Sequence, residues 1–151
     1  MIYFEDMQVG DRASFGSYPV TRDEVLEFAQ KYDPQPFHLS DEAAAQTHFG
    51  RLAASGWHTA AMTMAMLVEQ MKRRPTASLG AAGIDELRWI RPVFPGDTLR
   101  CETELLEKRE SEKRPELGRT RSRMLVFNQH DEPVLSFIAN ALVARRPHTA
   151  D

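Results

Sequence analysis

The feature that most constrains the fold is one long segment that is helical in composition and apolar on nearly every side. From Trp57 to about Arg74 the chain has no proline or glycine and consists largely of Ala, Met, Leu, Glu, Gln and Lys, which are strong helix formers. The first half, Ala60 to Val68, is apolar on nearly every helical face, and a helix of this kind is buried. This apolar half is much shorter than the roughly 20 apolar residues needed to span a bilayer. We therefore expect a globular domain folded around this helix.

Extended segments surround this helix in the sequence, four after it and one before it. Turn residues separate them at Pro95-Gly96-Asp97 and at Asp131-Glu132-Pro133. The five predicted strands lie near Arg12–Val20, Ser78–Arg91, Thr98–Lys108, Gly118–Asn128 and Val134–Ala144. Their order favours an antiparallel sheet over alternating βαβ units, so the predicted fold class is α+β, with the sheet wrapped around the long helix.

Two short helices are expected before the long one. Thr21 and Glu24 form a capping box, in which the Thr21 hydroxyl accepts an N–H and Glu24 reaches back to the Thr21 amide. The helix behind this box runs to about Tyr32, where a proline-rich stretch stops it. Ser40 is the predicted N-cap of the second short helix, which extends up to Gly50.

Two further patterns concern the sheet. Residues 107–116 carry four acids and four bases, a balance typical of a solvated hairpin loop. The last predicted strand, VLSFIANALV, is apolar at positions of both parities, which predicts that both of its faces are covered. Coverage of the outer face in turn predicts a homodimer.

Length and charge narrow the classes of protein. A chain of 151 residues is the size of one domain, so we predict a single domain over residues 1–151. Its 19 basic and 22 acidic residues leave a net charge of −3, without the basic excess that nucleic-acid binding needs. One cysteine and no zinc-ligand spacing predict no disulfide and no metal site. An acidic start without an apolar leader predicts a cytoplasmic protein with no membrane segment.

The first candidate for chemistry is the loop Asp33-Pro34-Gln35-Pro36-Phe37-His38. It places a carboxylate and an imidazole five residues apart, and its two prolines each lock a φ angle. In such a stiff loop both side chains can converge on one point, as a water-activating pair must. The alternative is that Asp33 only caps a turn and that His38 is a satisfied, partly buried side chain.

The second candidate is the run of small residues from Phe49 to Thr59, which leads into the long helix. The first turn of a helix has unpaired N–H groups, and Gly56 has no side chain to block the approach to them. A carbonyl oxygen could therefore reach these donors, which would form an oxyanion site. The alternative is that Gly56 only permits tight packing while Ser55 caps the helix.

A third segment, Trp89 to Leu99, has by itself the pattern of a strand, a bend and a strand. Together the three segments resemble the MaoC-like dehydratase family, whose best-known members are the (R)-specific enoyl-CoA hydratases. The family's Asp-x-Asn-Pro-x-His loop is matched at Asp33, Pro36 and His38. Its segment that enters the central helix is matched at Phe49-Gly50, Ala54 and Gly56, and its strand turn at residues 91–93 and 95–99.

The resemblance covers about residues 1–143 and implies both a fold and an activity. The fold is a hotdog, usually assembled as a homodimer, and the activity is reversible addition of water to a 2-enoyl thioester of coenzyme A. No cofactor is implied. Carried onto this chain, the resemblance implies that Asp33 and His38 bind and activate the water and then return a proton to C2. It also implies that the Gly56 amide holds the thioester oxygen.

The chain departs from the family pattern at three positions. Gln35 stands where the family has Asn, and Ser55-Gly56-Trp57 stands where it has His-Gly-Met. We assign Gln35, Ser55 and Trp57 to substrate binding, and Trp57 would narrow the acyl pocket if its ring faces that way. Two other functions stay open, a hotdog acyl-CoA thioesterase and a noncatalytic acyl-CoA-binding hotdog module.

The remaining reactive side chains are expected to have structural roles. No partner is evident in the sequence for His48, His58, His130 and His148. Cys101 lies in a predicted strand without a visible activating neighbour. Several strand arginines could meet coenzyme A phosphates, although a solvated strand face is the favoured role. They are Arg88, Arg91, Arg119, Arg121 and Arg123.

Overall fold

The computed structural model describes residues 1–148, which form three α-helices, five β-strands and two 3₁₀ turns. The helices are α1 (Arg22–Tyr32), α2 (Asp41–Ala45) and α3 (Gly56–Arg73). The strands are β1 (Arg12–Pro19), β2 (Ser78–Trp89), β3 (Thr98–Glu110), β4 (Leu117–Phe127) and β5 (Pro133–Ala144). The 3₁₀ turns cover Phe4–Asp6 and Pro36–His38. The predicted α+β class is confirmed.

The five strands form one antiparallel sheet in the order β1-β3-β4-β5-β2. The long helix α3 packs against β1 and β3 on the inner face of this sheet. Strand β2 follows α3 in the chain, lies at the sheet edge and pairs only with β5 within residues 1–148. One edge of this long strand is therefore unpaired among the described residues.

Helix α3 buries one side and exposes the other. Its buried side carries His58, Thr59, Met62, Thr63 and Met66. Its exposed large apolar residues are Trp57, Met64 and Val68. The expectation that this helix is buried on all sides is wrong for the single chain, because the sheet of one chain covers only one side of it.

The core lies between α3 and the inner face of the sheet. Helix methionines meet aliphatic strand residues there, and the cluster includes Met62, Met66, Leu99, Met124 and Val126. Cys101 is fully buried in the same cluster, and this burial raises the pKa of its thiol to about 12. The thiol is therefore protonated at neutral pH, which is unsuited to a nucleophile.

Two sheet patterns differ from their predictions. The charged segment, residues 107–116, is part strand and part loop, because β3 continues to Glu110 and the loop covers only residues 111–116, before β4 begins at Leu117. Long charged side chains reach water from an extended strand as well as from a loop, so their balance did not distinguish the two. In β5, Val134, Leu135 and Val143 are buried but residues 136–142 are only half-buried, so one chain does not cover both faces.

Two local predictions about the short helices also need correction. Helix α2 ends at Ala45 and not near Gly50, because the Thr47 hydroxyl donates to the Ala44 carbonyl at 2.7 Å and offers the backbone another partner. Thr21 does cap α1, accepting from the Glu24 amide at 3.3 Å. The Glu24 carboxylate does not complete the capping box, since it accepts hydrogen bonds from other side chains described below.

Gly16 provides a test of the packing between β1 and α3. Its φ is +90°, and a Cβ at this position would lie 2.6 Å from Met66 Sδ. Gly10 has a similar φ of +95° but no atom within 4 Å of its added Cβ, so it is a matched control for the backbone strain alone. We expect Gly16→Ala to lower the free energy of unfolding by about 1–3 kcal/mol more than Gly10→Ala does. Urea denaturation measures both, and equal losses would contradict this packing.

Candidate active site

Asp33 and His38 come together on the loop between α1 and α2. Asp33 is the C-cap of α1, and its amide donates to the Ala29 carbonyl at 2.9 Å. Pro36 begins a 3₁₀ turn that ends at His38, and the His38 amide donates to the Gln35 carbonyl at 2.9 Å within it. As a result His38 Nε2 lies 3.4 Å from Asp33 Oδ2. The stiff loop converges as the sequence predicted.

The orientation of the His38 ring follows from one hydrogen bond. Its Nδ1 lies 2.7 Å from the Ala53 carbonyl oxygen. A carbonyl oxygen only accepts, so Nδ1 carries the hydrogen and donates it, which leaves Nε2 to face Asp33. The residue is only 5% exposed, so the ring is held in this position. In its neutral form His38 therefore presents a basic nitrogen towards the carboxylate.

Two side chains hold the Asp33 carboxylate. Gln35 Nε2 donates to Oδ1 at 2.8 Å, and the Ser55 hydroxyl donates to Oδ2 at 2.7 Å. Burial alone would raise the pKa of Asp33, but these hydrogen bonds, together with the nearby His38, lower it below its ordinary value. Asp33 is therefore ionised at neutral pH. Gln35 and Ser55, assigned from the resemblance to substrate binding, have polar atoms engaged with Asp33, and Ser55 is fully buried.

Ser55 also starts the long helix. Its Oγ accepts from the Trp57 amide at 3.3 Å, so it is the N-cap of α3 while it donates to Asp33. Gly56 is the first residue of α3, it is half-buried, and its amide has no hydrogen-bond partner among residues 1–148. A donor without a partner therefore follows directly after the residue that binds Asp33.

The third sequence segment packs against the second through the backbone. The Ala54 amide donates to the Val93 carbonyl at 2.8 Å, directly next to the Ala53 carbonyl that binds His38. The bend itself is closed by Asp97, whose Oδ2 accepts from the Phe94 amide at 2.9 Å. All three segments that carried the resemblance thus meet around Ala53 and Ala54.

Trp57, the third residue assigned to substrate binding, lies beside the site at the start of α3. Its ring is 59% exposed and packs edge-on against Trp89, with ring centroids 5.0 Å apart. It forms part of an open aromatic surface next to Gly56.

His58 has a partner that the sequence did not reveal. It is 3% exposed, its Nε2 lies 3.3 Å from Glu24 Oε1, and its ring stacks on Phe28 with centroids 4.7 Å apart. The same Glu24 oxygen accepts from the Tyr18 hydroxyl, and this hydrogen bond raises the pKa of Tyr18 to about 12. Glu24 and His58 are 34 residues apart in the chain, so no local pattern could have predicted this contact, which ties α1 to α3.

Burial sets the charge of His58. It lowers the pKa of His58 below its ordinary value, although Glu24 opposes the shift. Its Nδ1 atom is buried and has no hydrogen-bond partner within residues 1–148. Both observations indicate a neutral imidazole that donates its Nε2 hydrogen to Glu24.

Two of the strand arginines form ion pairs with acidic residues other than Asp33. Arg121 pairs with Asp85 at 2.8 Å, and Arg91 pairs with Glu132 at 3.1 Å.

In residues 1–148 no three His, Cys, Asp or Glu side chains converge as metal ligands. None of the helices in that range is both long and apolar enough to cross a membrane.

The arrangement has a definite chemical capability. Asp33 Oδ2 and the His38 Nε2 lone pair are two hydrogen-bond acceptors that face each other. One water molecule has two O–H donors, so it can be bound by both at once and lose a proton to the imidazole. The nearby Gly56 amide can stabilise an oxygen on which negative charge develops.

Comparison with known proteins identifies the family. The family described as MaoC like domain matches residues 6–125. That match spans well over half of the chain, so the chain belongs to the MaoC-like domain family, as the sequence motifs predicted.

Individual relatives agree with this assignment. The MaoC-like dehydratase from Rhodospirillum rubrum is 41% identical, with a TM-score of 0.89 over 98% of this chain and 100% of that chain. The 3-hydroxybutyryl-CoA dehydratase of Methylorubrum extorquens is 32% identical over 109 residues, 71% of this chain and 66% of that protein. A Mycobacterium tuberculosis protein with a double hotdog fold has a TM-score of 0.81 over 99% of this chain and 46% of that chain. At 19% identity the last shares the fold alone, and the predicted hotdog fold is confirmed.

The Glu24–His58 contact leads to a prediction about pH. The folded-state pKa of His58 lies below the ordinary 6.5, so below about pH 6.5 the unfolded chain binds a proton that the folded chain does not. Acidification through this range therefore favours unfolding. His58→Gln keeps an N–H donor for Glu24 but does not titrate, so its free energy of unfolding should fall less steeply between about pH 7 and pH 5. Urea denaturation across this range checks it, and identical slopes would show that His58 is not a buried neutral group.

Proposed function

We propose that the protein catalyses the reversible addition of water to a 2-enoyl-CoA thioester, which yields a 3-hydroxyacyl-CoA. The observation that supports this most is the pairing of Asp33 Oδ2 with His38 Nε2, in which the Ala53 carbonyl determines the histidine tautomer. The Gly56 amide, which has no partner within residues 1–148, adds an oxyanion donor next to the pair. Relatives named as dehydratases agree with this class of reaction.

The proposed reaction gives each of these groups a defined role. Asp33 and His38 bind the water, and His38 Nε2 takes one of its protons while the oxygen forms a bond to C3. The electrons of the double bond move to the thioester oxygen, and the Gly56 amide stabilises the resulting enolate. The enolate then collapses as C2 takes the proton back from His38. The sum is OH on C3 and H on C2, without a cofactor.

Substitution of the pair tests this function. Asp33→Asn keeps the shape but loses the charge, and His38→Gln loses the proton acceptor. Each should lower kcat on a competent enoyl-CoA by about 10²–10⁴-fold, the usual contribution of a positioned acid or base. Steady-state kinetics measure this.

The matched controls are Asp23→Asn and His48→Gln, which make the same chemical changes at exposed positions outside the pair. Both controls should keep the wild-type kcat. A folded Asp33→Asn or His38→Gln variant with near-wild-type kcat would reject the proposed roles.

We also infer a homodimer. The exposed large apolar residues are concentrated on α3 and on or just after β2, namely Trp57, Met64, Val68, Leu79, Ile84, Trp89 and Ile90. Strand β2 has an unpaired edge within the described chain, and such an edge is normally covered or paired. An apolar surface of this extent on a folded chain marks an interface, and ligand pockets often form at interfaces. The acyl-CoA substrate would then bind near the subunit boundary.

Sedimentation equilibrium at micromolar concentration tests the dimer. We expect a species of twice 17.2 kDa, because burial of this apolar surface favours association. A single species of 17.2 kDa would contradict the dimer.

The buried, unpaired Cys101 is compatible with a reducing compartment, and we propose the cytoplasm.

A further inference from the structure

We propose that Ser55 is a positioning residue, whose hydroxyl fixes the Asp33 oxygen that faces His38. This assignment rests on the proposed function, and it replaces the substrate-binding role assigned to Ser55 from the sequence. Asp33 and Ser55 are 22 residues apart in the chain, so only the fold brings them together.

The Ser55 side chain is fully engaged within the chain. A hydroxyl has one hydrogen to donate, and here Asp33 Oδ2 accepts it at 2.7 Å. The oxygen of the same hydroxyl accepts from the Trp57 amide at 3.3 Å. Ser55 is 0% exposed, so a ligand that arrives from solvent does not reach its side chain. Any effect of Ser55 on the reaction is therefore exerted through Asp33 or through the start of α3.

The contact with Asp33 involves the oxygen that the proposed reaction uses. Oδ2 is the atom that lies 3.4 Å from His38 Nε2, and Gln35 holds the other oxygen, Oδ1, at 2.8 Å. Rotation of the carboxylate would break the hydrogen bonds at both of its oxygens. Ser55 thus holds in place the acceptor that binds the water opposite the base.

Of the two donors to Asp33, Ser55 is the more firmly anchored. Gln35 is exposed, and its long side chain loses much rotamer freedom when it is held in one position. Ser55 is held at the helix start, where its carbonyl accepts from the Thr59 amide at 3.1 Å and its hydroxyl accepts from the Trp57 amide. The carboxylate is therefore aligned with α3 mainly through Ser55.

Ser55→Ala is the direct test, because it removes the hydroxyl with little change in volume. It should lower kcat on a competent enoyl-CoA by about 10–100-fold, since a carboxylate that can rotate orients the water less well. KM should stay nearly unchanged, because Ser55 does not touch the thioester. Wild-type kcat in folded Ser55→Ala, with or without a raised KM, would overturn the assignment.

A double-mutant cycle separates action through Asp33 from action through the helix. In the Asp33→Asn background the carboxylate is already lost, so Ser55→Ala should lower kcat there by less than about 3-fold. An equal loss in both backgrounds would overturn the assignment, because it would show that Ser55 acts only on the start of α3.

Loss of a helix cap is controlled separately. Thr21→Ala removes the N-cap hydroxyl of α1, which accepts from the Glu24 amide, and should keep the wild-type kcat. Ser55→Gly also removes the contact with Asp33, but glycine is a better N-cap than alanine. It should therefore lower kcat as much as Ser55→Ala does while it costs less stability. A loss of kcat that follows the loss of stability in the two variants would overturn the positioning role.

A further measurement does not depend on turnover. Burial raises the pKa of Asp33, but hydrogen bonds from Gln35 and Ser55 lower it below its ordinary value. Titration of the Asp33 carboxyl resonance in ¹³C-labelled protein, identified by its absence from Asp33→Asn, should show a higher pKa in Ser55→Ala and no change in Thr21→Ala. An unchanged pKa in Ser55→Ala would overturn the assignment even if hydration is observed. A raised pKa without hydration of any enoyl-CoA would support the contact and reject the proposed reaction instead.

Discussion

The buried hydroxyl of Ser55 connects the fold to the site. Its oxygen accepts a hydrogen bond from the Trp57 amide, which makes Ser55 the N-cap of α3, and its hydrogen is donated to the Asp33 carboxylate. The start of the helix and the position of the carboxylate therefore depend on one side chain. Because Ser55 is followed by Gly56, the same contact sets the distance between the carboxylate and the open amide. A shift of the helix start would disturb both halves of the proposed reaction.

Electrostatic conditions around the site are opposite for its two buried histidines. His38 has both ring nitrogens directed at acceptors, the Ala53 carbonyl and Asp33. His58 has a buried nitrogen that no group in the described part of the chain contacts by a hydrogen bond, and burial lowers its pKa. The first histidine suits proton transfer, whereas the second suits a fixed structural contact between α1 and α3. Type of residue alone does not separate these roles.

Much of the fold could be predicted from local patterns. The composition of residues 57–74 predicted α3 to within a residue or so at each end, and turn residues placed the five strands. The charged stretch before Glu110 was assigned to a loop because charge balance reports solvent contact and not backbone conformation. The prediction that α3 is buried on all sides was wrong for the single chain. An apolar sequence pattern does not show whether the residues that pack against it belong to the same chain or to another.

The candidate site could be predicted only where its residues are close in sequence. Asp33 and His38 share one stiff loop, so their convergence follows from proline geometry. The contacts of His58 with Glu24 and of Gly56 with Trp89 join distant segments through the fold, and one sequence has no local signal for them. The same limit applies to Gln35 and Ser55, whose orientation towards Asp33 depends on side-chain geometry.

The central claim is that Asp33 and His38 direct water to C3 of an enoyl thioester and not to its carbonyl carbon. Incubation with crotonyl-CoA, or with a slightly longer 2-enoyl-CoA, separates the two reactions in one experiment. The conjugated enoyl absorbance is followed together with free thiol. The account predicts that the absorbance is lost, that 3-hydroxyacyl-CoA accumulates and that no thiol is released. Release of coenzyme A thiol without a hydrated product would contradict it and would identify a thioesterase.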